Sequence, residues 1–175
     1  MPSVCAALPE AIEAILAADL VIVGPGSLYT SIMPNLLVPG IAEAIEKSNA
    51  QKIFVCNIMT QPGETSGMKA SDHAAAIADA TGRKLFRDVM VNVGQATRLL
   101  PVYARDGAFP VAPDLDTLQA LGDTALTGDF VSEDHQVRHD ANKLASALLK
   151  VLDERTERPA LSMFLGSGQR RSTAK

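Results

Sequence analysis

The sequence predicts a layered α/β fold with a mostly parallel sheet, and three patterns predict it. Apolar runs such as Leu20-Val21-Ile22-Val23 are hydrophobic on both faces, as strands inside a helix-covered parallel sheet are. Segments with apolar residues at helical spacing alternate with these runs, the order that parallel strands need for their crossovers. Polar loops rich in Gly and Pro follow the strands, at the sheet end where α/β proteins bind ligands.

Each element has its own signature. Ile12, Ile15 and Leu16 recur at helical spacing after Pro9, with Glu10 and Glu13 at the start, predicting a helix over 9–18. The first strand, 20–23, runs into Gly24-Pro25-Gly26-Ser27. A helix over 41–46 follows Pro39-Gly40, and Lys52-Ile53-Phe54-Val55-Cys56-Asn57-Ile58 reads as a second buried strand. Ser71-Asp72 are good caps for an Ala-rich helix over 73–80, which Gly82 can close. Residues 89–93 read as a third strand, 99–103 have no assignable type, and 109–111 and 125–127 read as short outer strands. Asp140 caps a last helix whose stripe of Leu144, Leu148, Val151 and Leu152 is expected to dock on the sheet. Residues 1–153 are therefore read as one α/β domain and 154–175 as a flexible tail.

Composition narrows the function. At 175 residues, 47% hydrophobic and 21% charged, the chain has the make-up of an ordinary globular domain rather than a disordered one. It carries −4 overall, yet residues 154–175 hold five basic and two acidic side chains, leaving −7 on the remainder. That balance argues against nucleic acid as a partner, as does the absence of Trp. No apolar run is long enough for a membrane span and the N-terminus lacks a signal-peptide pattern, so a cytoplasmic location without a membrane partner is expected. Cys5 and Cys56 form no CxxC pair and are expected to be reduced thiols.

Two loops carry the candidate chemistry. In Gly24-Pro25-Gly26-Ser27-Leu28-Tyr29-Thr30-Ser31 the glycines let backbone N–H groups approach an anion, and the hydroxyls of Ser27, Thr30 and Ser31 add donors, a plausible phosphate cradle. The loop is neither a GxGxxG fingerprint nor a P-loop, and it reads equally as a turn chosen for tightness. The second loop follows Asn57 and holds Thr60, Gln61, Glu64 and Thr65 around Pro62-Gly63, suited to sugar hydroxyls or an amide. It reads equally as a solvated Pro-Gly turn. Arg138-His139-Asp140 reads as an anion clamp at a helix start, or as an Arg paired with Glu133 or Asp134. His135 and His139 lack a metal-site pattern, and His73 is read as a packing or capping residue. Tyr103 can stack on a base or sugar, or be an ordinary half-buried Tyr.

The blocks GPGSLYTSIMPNLLVPGIAEAI, VCNIMTQPGET, SDHAAAI and RHDANKLASALL, in that order, resemble the bacterial YvcK-like gluconeogenesis factors of the CofD (2-phospho-L-lactate transferase) superfamily. The resemblance spans about residues 8–152. It implies a cytoplasmic, Rossmann-like protein that binds a UDP-sugar such as UDP-N-acetylglucosamine and regulates carbon flux to the envelope and cell shape during gluconeogenic growth. No settled reaction or cofactor is implied. The candidate ligand-binding set is Gly24, Gly26, Ser27, Leu28, Tyr29, Thr30, Asn35, Asn57, Thr60, Gln61, Gly63, Glu64, Thr65, Tyr103, Arg138 and His139, within which the resemblance implies Tyr103 and Arg138 at the sugar nucleotide and the 24–30 loop near the diphosphate. The alternative is a transferase of a phospholactyl group from a nucleotide diphosphate donor, which would use Mg²⁺. Family members are roughly twice the length of a single small domain and begin with a strand and a Gly-Gly-Gly-Thr-Gly loop that this chain lacks. The chain therefore corresponds to the family's second half. A partner supplying the first half, a homo-oligomer, or a pure assembly role are the expectations that follow.

Overall fold

A computed structural model describes residues 6–165, with side chains from 6 to 154. Two compact units meet at Asp140 and Ala141. The first contains the sheet and the second is one helix, α7 (Ala141–Leu165). Cys5 lies outside the described residues.

The first unit opens with α1 (Pro9–Ala17) and β1 (Leu20–Val23), followed by a π-helical turn (Leu28–Ile32), α2 (Met33–Leu36) and α3 (Ile41–Lys47). Then come β2 (Gln51–Val55), α4 (Ala70–Thr81), β3 (Asp88–Asn92), α5 (Leu100–Arg105), α6 (Leu115–Ala120) and β4 (Thr124–Gly128). A hairpin of β5 (Val131–Ser132) and β6 (Arg138–His139) closes the unit. The main sheet has the order β1-β2-β3-β4, parallel throughout, with Ile22 opposite Ile53, Phe54 opposite Val89, and Val89 opposite Ala125. This is the layered, Rossmann-like α/β architecture the sequence predicts.

The core forms where the apolar runs are longest. Ile53, Phe54, Val55, Val89, Met90 and Val91 of the two central strands are almost completely buried. Phe54 stacks on Phe86 with ring centroids 5.1 Å apart, and burying one such side chain is worth about 1.5–3 kcal/mol. β1 departs from expectation. It is the edge of the sheet, and its Ile22 is 43% exposed.

Other differences have local causes. The loop after β1 rolls into the π-helical turn and α2 because Leu28, Ile32, Met33 and Leu36 share one buried face. The second strand stops at Val55, since Ile58 and Thr60 turn away to bond the 109–111 segment through Val111 N–H to Ile58 O (2.8 Å) and Thr60 N–H to Phe109 O (2.7 Å). That segment is not a strand: Pro110 has no N–H to extend a ladder, and only an isolated Met59–Pro110 bridge forms. α4 begins at Ala70, three residues before the predicted start. Asp72 works from inside its first turn, where its carboxylate accepts the Lys69 N–H at 2.8 Å. Residues 99–103 prove to be mostly helical, as α5. α6 and the β5–β6 hairpin have no counterpart in the sequence reading. α7 continues through Leu165, past the point where a flexible tail was expected to begin, while residues 166–175 lie outside the described residues.

Candidate functional site

The strands of the parallel sheet deliver two loops to their carboxyl ends. In the first, Gly24 has φ +88°, and a Cβ there would lie 2.9 Å from Val55 O. Only glycine lets the loop cross this close to β2. Ser27 then caps the π-helical turn: its Oγ accepts the Thr30 N–H at 3.3 Å, donates to Glu64 Oε2 at 2.6 Å, and contacts Thr30 Oγ1. The Ser27–Glu64 bond ties the two loops together.

Beside them lies a cleft of about 720 Å³. Gly26 and Ser27 of the first loop line it, as do Asn57, Thr60 and Gln61 of the second. Tyr103 comes from α5, and Arg138 and His139 from β6. Sequence positions more than a hundred apart are thus brought to one surface.

The remaining candidates lie elsewhere. Gly24 and Asn35 line a separate groove along β1, where Asn35 Nδ2 donates to Ser31 O at 2.7 Å. Leu28 is fully buried in the main core, backbone included, and presents no surface to a ligand. Tyr29 and Thr30 are exposed and outside the cleft lining. Gly63, Glu64 and Thr65 stand behind the second loop, and buried Thr65 Oγ1 accepts the Gln61 N–H at 2.9 Å to hold that loop's shape. Thr60 is likewise occupied, its Oγ1 accepting the Phe109 N–H at 3.0 Å.

Arg138 lies in the short strand β6, and the Arg138-His139-Asp140 run leads directly into α7 at Ala141. Its side chain is exposed and, among the described residues, has no ion-pair partner. Of its acidic neighbours, Glu133 is engaged by Arg98, whose backbone N–H donates to Oε2 at 2.9 Å and whose Nε lies 4.0 Å from it, while the Asp134 carboxylate accepts the Ser132 hydroxyl at 3.3 Å and the Asp134 backbone carbonyl accepts from Arg98 Nη2 at 2.9 Å. Two acceptors of the cleft wall are buried without a hydrogen-bond partner among the described residues, Gln61 Oε1 and His139 Nε2. Burial holds the His139 imidazole below its ordinary pKa, with the Cys56 backbone pulling the other way. The ring is therefore neutral near pH 7 and retains a lone pair to accept with. Burial, reinforced by Asp114, pushes the Cys56 thiol up to about 12, making it inert. His73 is fully buried, with Nδ1 2.7 Å from Lys69 O.

Asp106, Gln136 and Val137 also line the cleft and escaped the sequence reading. Asp106-Gly107 is a turn dipeptide that could have flagged the end of α5. Gln136 carries no such signal, because only the β5–β6 pairing brings it round. A guanidinium without an ion-pair partner among the described residues, the Gly26-Ser27 turn and two acceptors without hydrogen-bond partners suit an anionic ligand that also carries hydroxyl or N–H donors.

Residues 1–131 match the family described as 2-phospho-L-lactate transferase CofD. The chain is 47% identical over 145 residues to the gluconeogenesis factor of Halalkalibacterium halodurans, and 43% identical over 149 residues to that of Bacillus subtilis. These matches cover 82% and 84% of this chain but 45% and 47% of the relatives. A crystal structure of a UPF0052-family protein from Bacillus halodurans superposes with a TM-score of 0.82 at 45% identity, covering 85% of this chain and 48% of that one. The chain thus spans about half the length of the relatives it matches. By sequence and by fold, it belongs to the CofD family, among the YvcK-like gluconeogenesis factors.

Proposed function

We propose that this chain forms one side of a sugar-nucleotide pocket. The ligand is a UDP-sugar of the UDP-N-acetylglucosamine type, and its binding regulates carbon flux to the cell envelope and cell shape during gluconeogenic growth without a reaction being catalysed. The observation that carries this reading is the Arg138 guanidinium, which has no ion-pair partner among the described residues, on the same cleft as the Gly26-Ser27 turn. Arg138 and the loop amides grip the diphosphate, while Gln61 Oε1 and neutral His139 Nε2 accept from sugar hydroxyls or the acetamido N–H. The other wall belongs to the part of the family fold that this chain does not span. The relatives' name, gluconeogenesis factor, supports the physiological side.

Calorimetric titration with UDP-N-acetylglucosamine tests the reading. Binding is expected, and Arg138→Gln is expected to weaken it about 10- to 100-fold, as loss of a charge-assisted contact does. Silence from this chain and from the full-length Halalkalibacterium relative would dismiss it.

The family description favours a second reading, transfer of a phospholactyl group from a guanylated donor to a deazaflavin acceptor. Among the described residues no group of three or more His, Cys, Asp or Glu gathers to hold a metal ion. GMP release on supplying donor and acceptor would establish it, and none would remove it.

A further inference from the structure

We propose that the free β1 edge of the main sheet is an interface between copies of this chain: β1 pairs antiparallel with β1 of a second copy, about a two-fold axis at Val21. The proposal is independent of what the cleft binds.

The surface around β1 is apolar and open. α1 carries Ile12, Ile15 and Leu16 at helical spacing, yet none of its residues is buried. β1, which follows it, is an outer strand of the sheet, and Leu16 and Ile22 are exposed. The groove of about 430 Å³ beside β1 is lined by Val21, Ile22 and Val23 alike. Successive side chains of a strand point to opposite faces, so the groove reaches both faces of β1, and a strand that fills it must be apolar on both.

The backbone is set to accept such a strand. Gln51 N–H donates to Asp19 O at 2.9 Å, and Leu20 stands opposite Gln51. In a parallel ladder alternate residues bond to the same neighbour, so Asp19, Val21 and Val23 face β2, while Leu20 and Ile22 turn their N–H and C=O groups to the open side. Of the main-sheet strands, β2 and β3 have neighbours on both sides and β4 exposes the polar Thr124 and Thr127. β1 is the one that joins a free edge to an apolar run, Leu-Val-Ile-Val. The strand of this chain that fits the edge is therefore β1 itself, and a contact of like with like closes by two-fold symmetry. The register follows from the backbone. With Val21 opposite Val21, Leu20 of each copy meets Ile22 of the other, and both outward-facing residues exchange N–H···O bonds. Charge agrees with this register. Asp19 of each copy meets Val23 of the other, which sets the two Asp19 residues about 13 Å apart along the strands, beyond the screening length at physiological salt.

Sedimentation velocity of the whole chain at about 100 μM tests the proposal, since a dimer of micromolar affinity is largely assembled there. The expected species has twice the mass of the chain. Ile22→Lys, which sets a charge against Leu20 of the other copy, is expected to sediment as a monomer with the wild-type circular dichroism spectrum. Cysteine pairing reads the register and decides the matter if Ile22→Lys loses its fold. In a Cys5→Ser background, with Cys56 buried, Val21→Cys is expected to give a disulfide-linked dimer on mild oxidation, because facing residues of this kind have Cα atoms about 4.5 Å apart. Thr124→Cys on β4 is expected to stay unlinked. A monomeric wild type would overturn the proposal and leave the edge to another chain, such as the part of the family fold that this one does not span. A dimer that survives Ile22→Lys, or that links as readily through Thr124→Cys as through Val21→Cys, would place the contact elsewhere and overturn it too.

Discussion

His139 shows how burial of one side chain sets both chemistry and pH response. In the unfolded chain its imidazole titrates near the ordinary 6.5, and in the folded chain burial lowers that value. Between the two values the unfolded chain binds more protons, so stability rises with pH across the window. Read downwards, the stabilising effect of a neutral His139 is fully present well above 6.5. It is lost as acid passes through the unfolded value towards the folded one. Urea unfolding at about pH 7.5 and about pH 5.5 checks this, the pair bracketing ordinary histidine titration. His139→Gln is expected to show a smaller drop in midpoint than the wild type, and equal drops would mean that another group carries the pH dependence. The same neutrality leaves Nε2 as an acceptor in the cleft, which a protonated ring would not offer.

Among elements, those built from continuous apolar runs were the legible ones. β2 and β3 follow from Ile53-Phe54-Val55 and Val89-Met90-Val91, because a strand buried on both faces has no polar position to confuse its reading. The π-helical turn and α2 were not legible: Ser27, Thr30 and Ser31 read as loop, while the apolar face that makes the segment helical depends on what it packs against. β5 and β6 are too short to leave a period in the sequence. The α4–α6 junction is also tertiary. Asp114, just before α6 at φ +25°, accepts the Ser71 N–H at 3.1 Å and the Ser71 hydroxyl at 2.5 Å, placing a carboxylate at the N-terminus of α4. Its charge there complements both the free amides and the helix dipole. Asp114→Ala is expected to destabilise the chain by about 1.5–3 kcal/mol, the worth of hydrogen bonds to a charged group. A urea midpoint unchanged from the wild type would show that the contact contributes nothing.

At the scale of the molecule, topology decides what the sequence leaves open. Gly26, Ser27, Asn57, Thr60, Gln61, Tyr103, Arg138 and His139 line one cleft because a parallel sheet sends successive loops to the same end, and that much follows from the strand order. Gly24, Asn35 and Leu28 fall outside it because loop direction and the inward turn of the π-helix are not encoded in residue type. The same topology gives the sheet two unlike edges. β4 exposes the polar Thr124 and Thr127, whereas β1 is Leu-Val-Ile-Val without a charge, a proline or a bulge. Beside β1 runs an apolar groove of about 430 Å³ lined by Ile15, Ile22, Ile41 and Ile45 among others. An uncovered edge of this kind templates pairing with other chains, and natural edges carry charges that prevent it. Ile22→Lys places such a charge on a side chain already 43% exposed, where the loss of burial is small. The variant is expected to keep the wild-type circular dichroism spectrum and to lose less protein to aggregation on heating at equal concentration. Equal losses would show that β1 is not the surface through which unfolding chains associate.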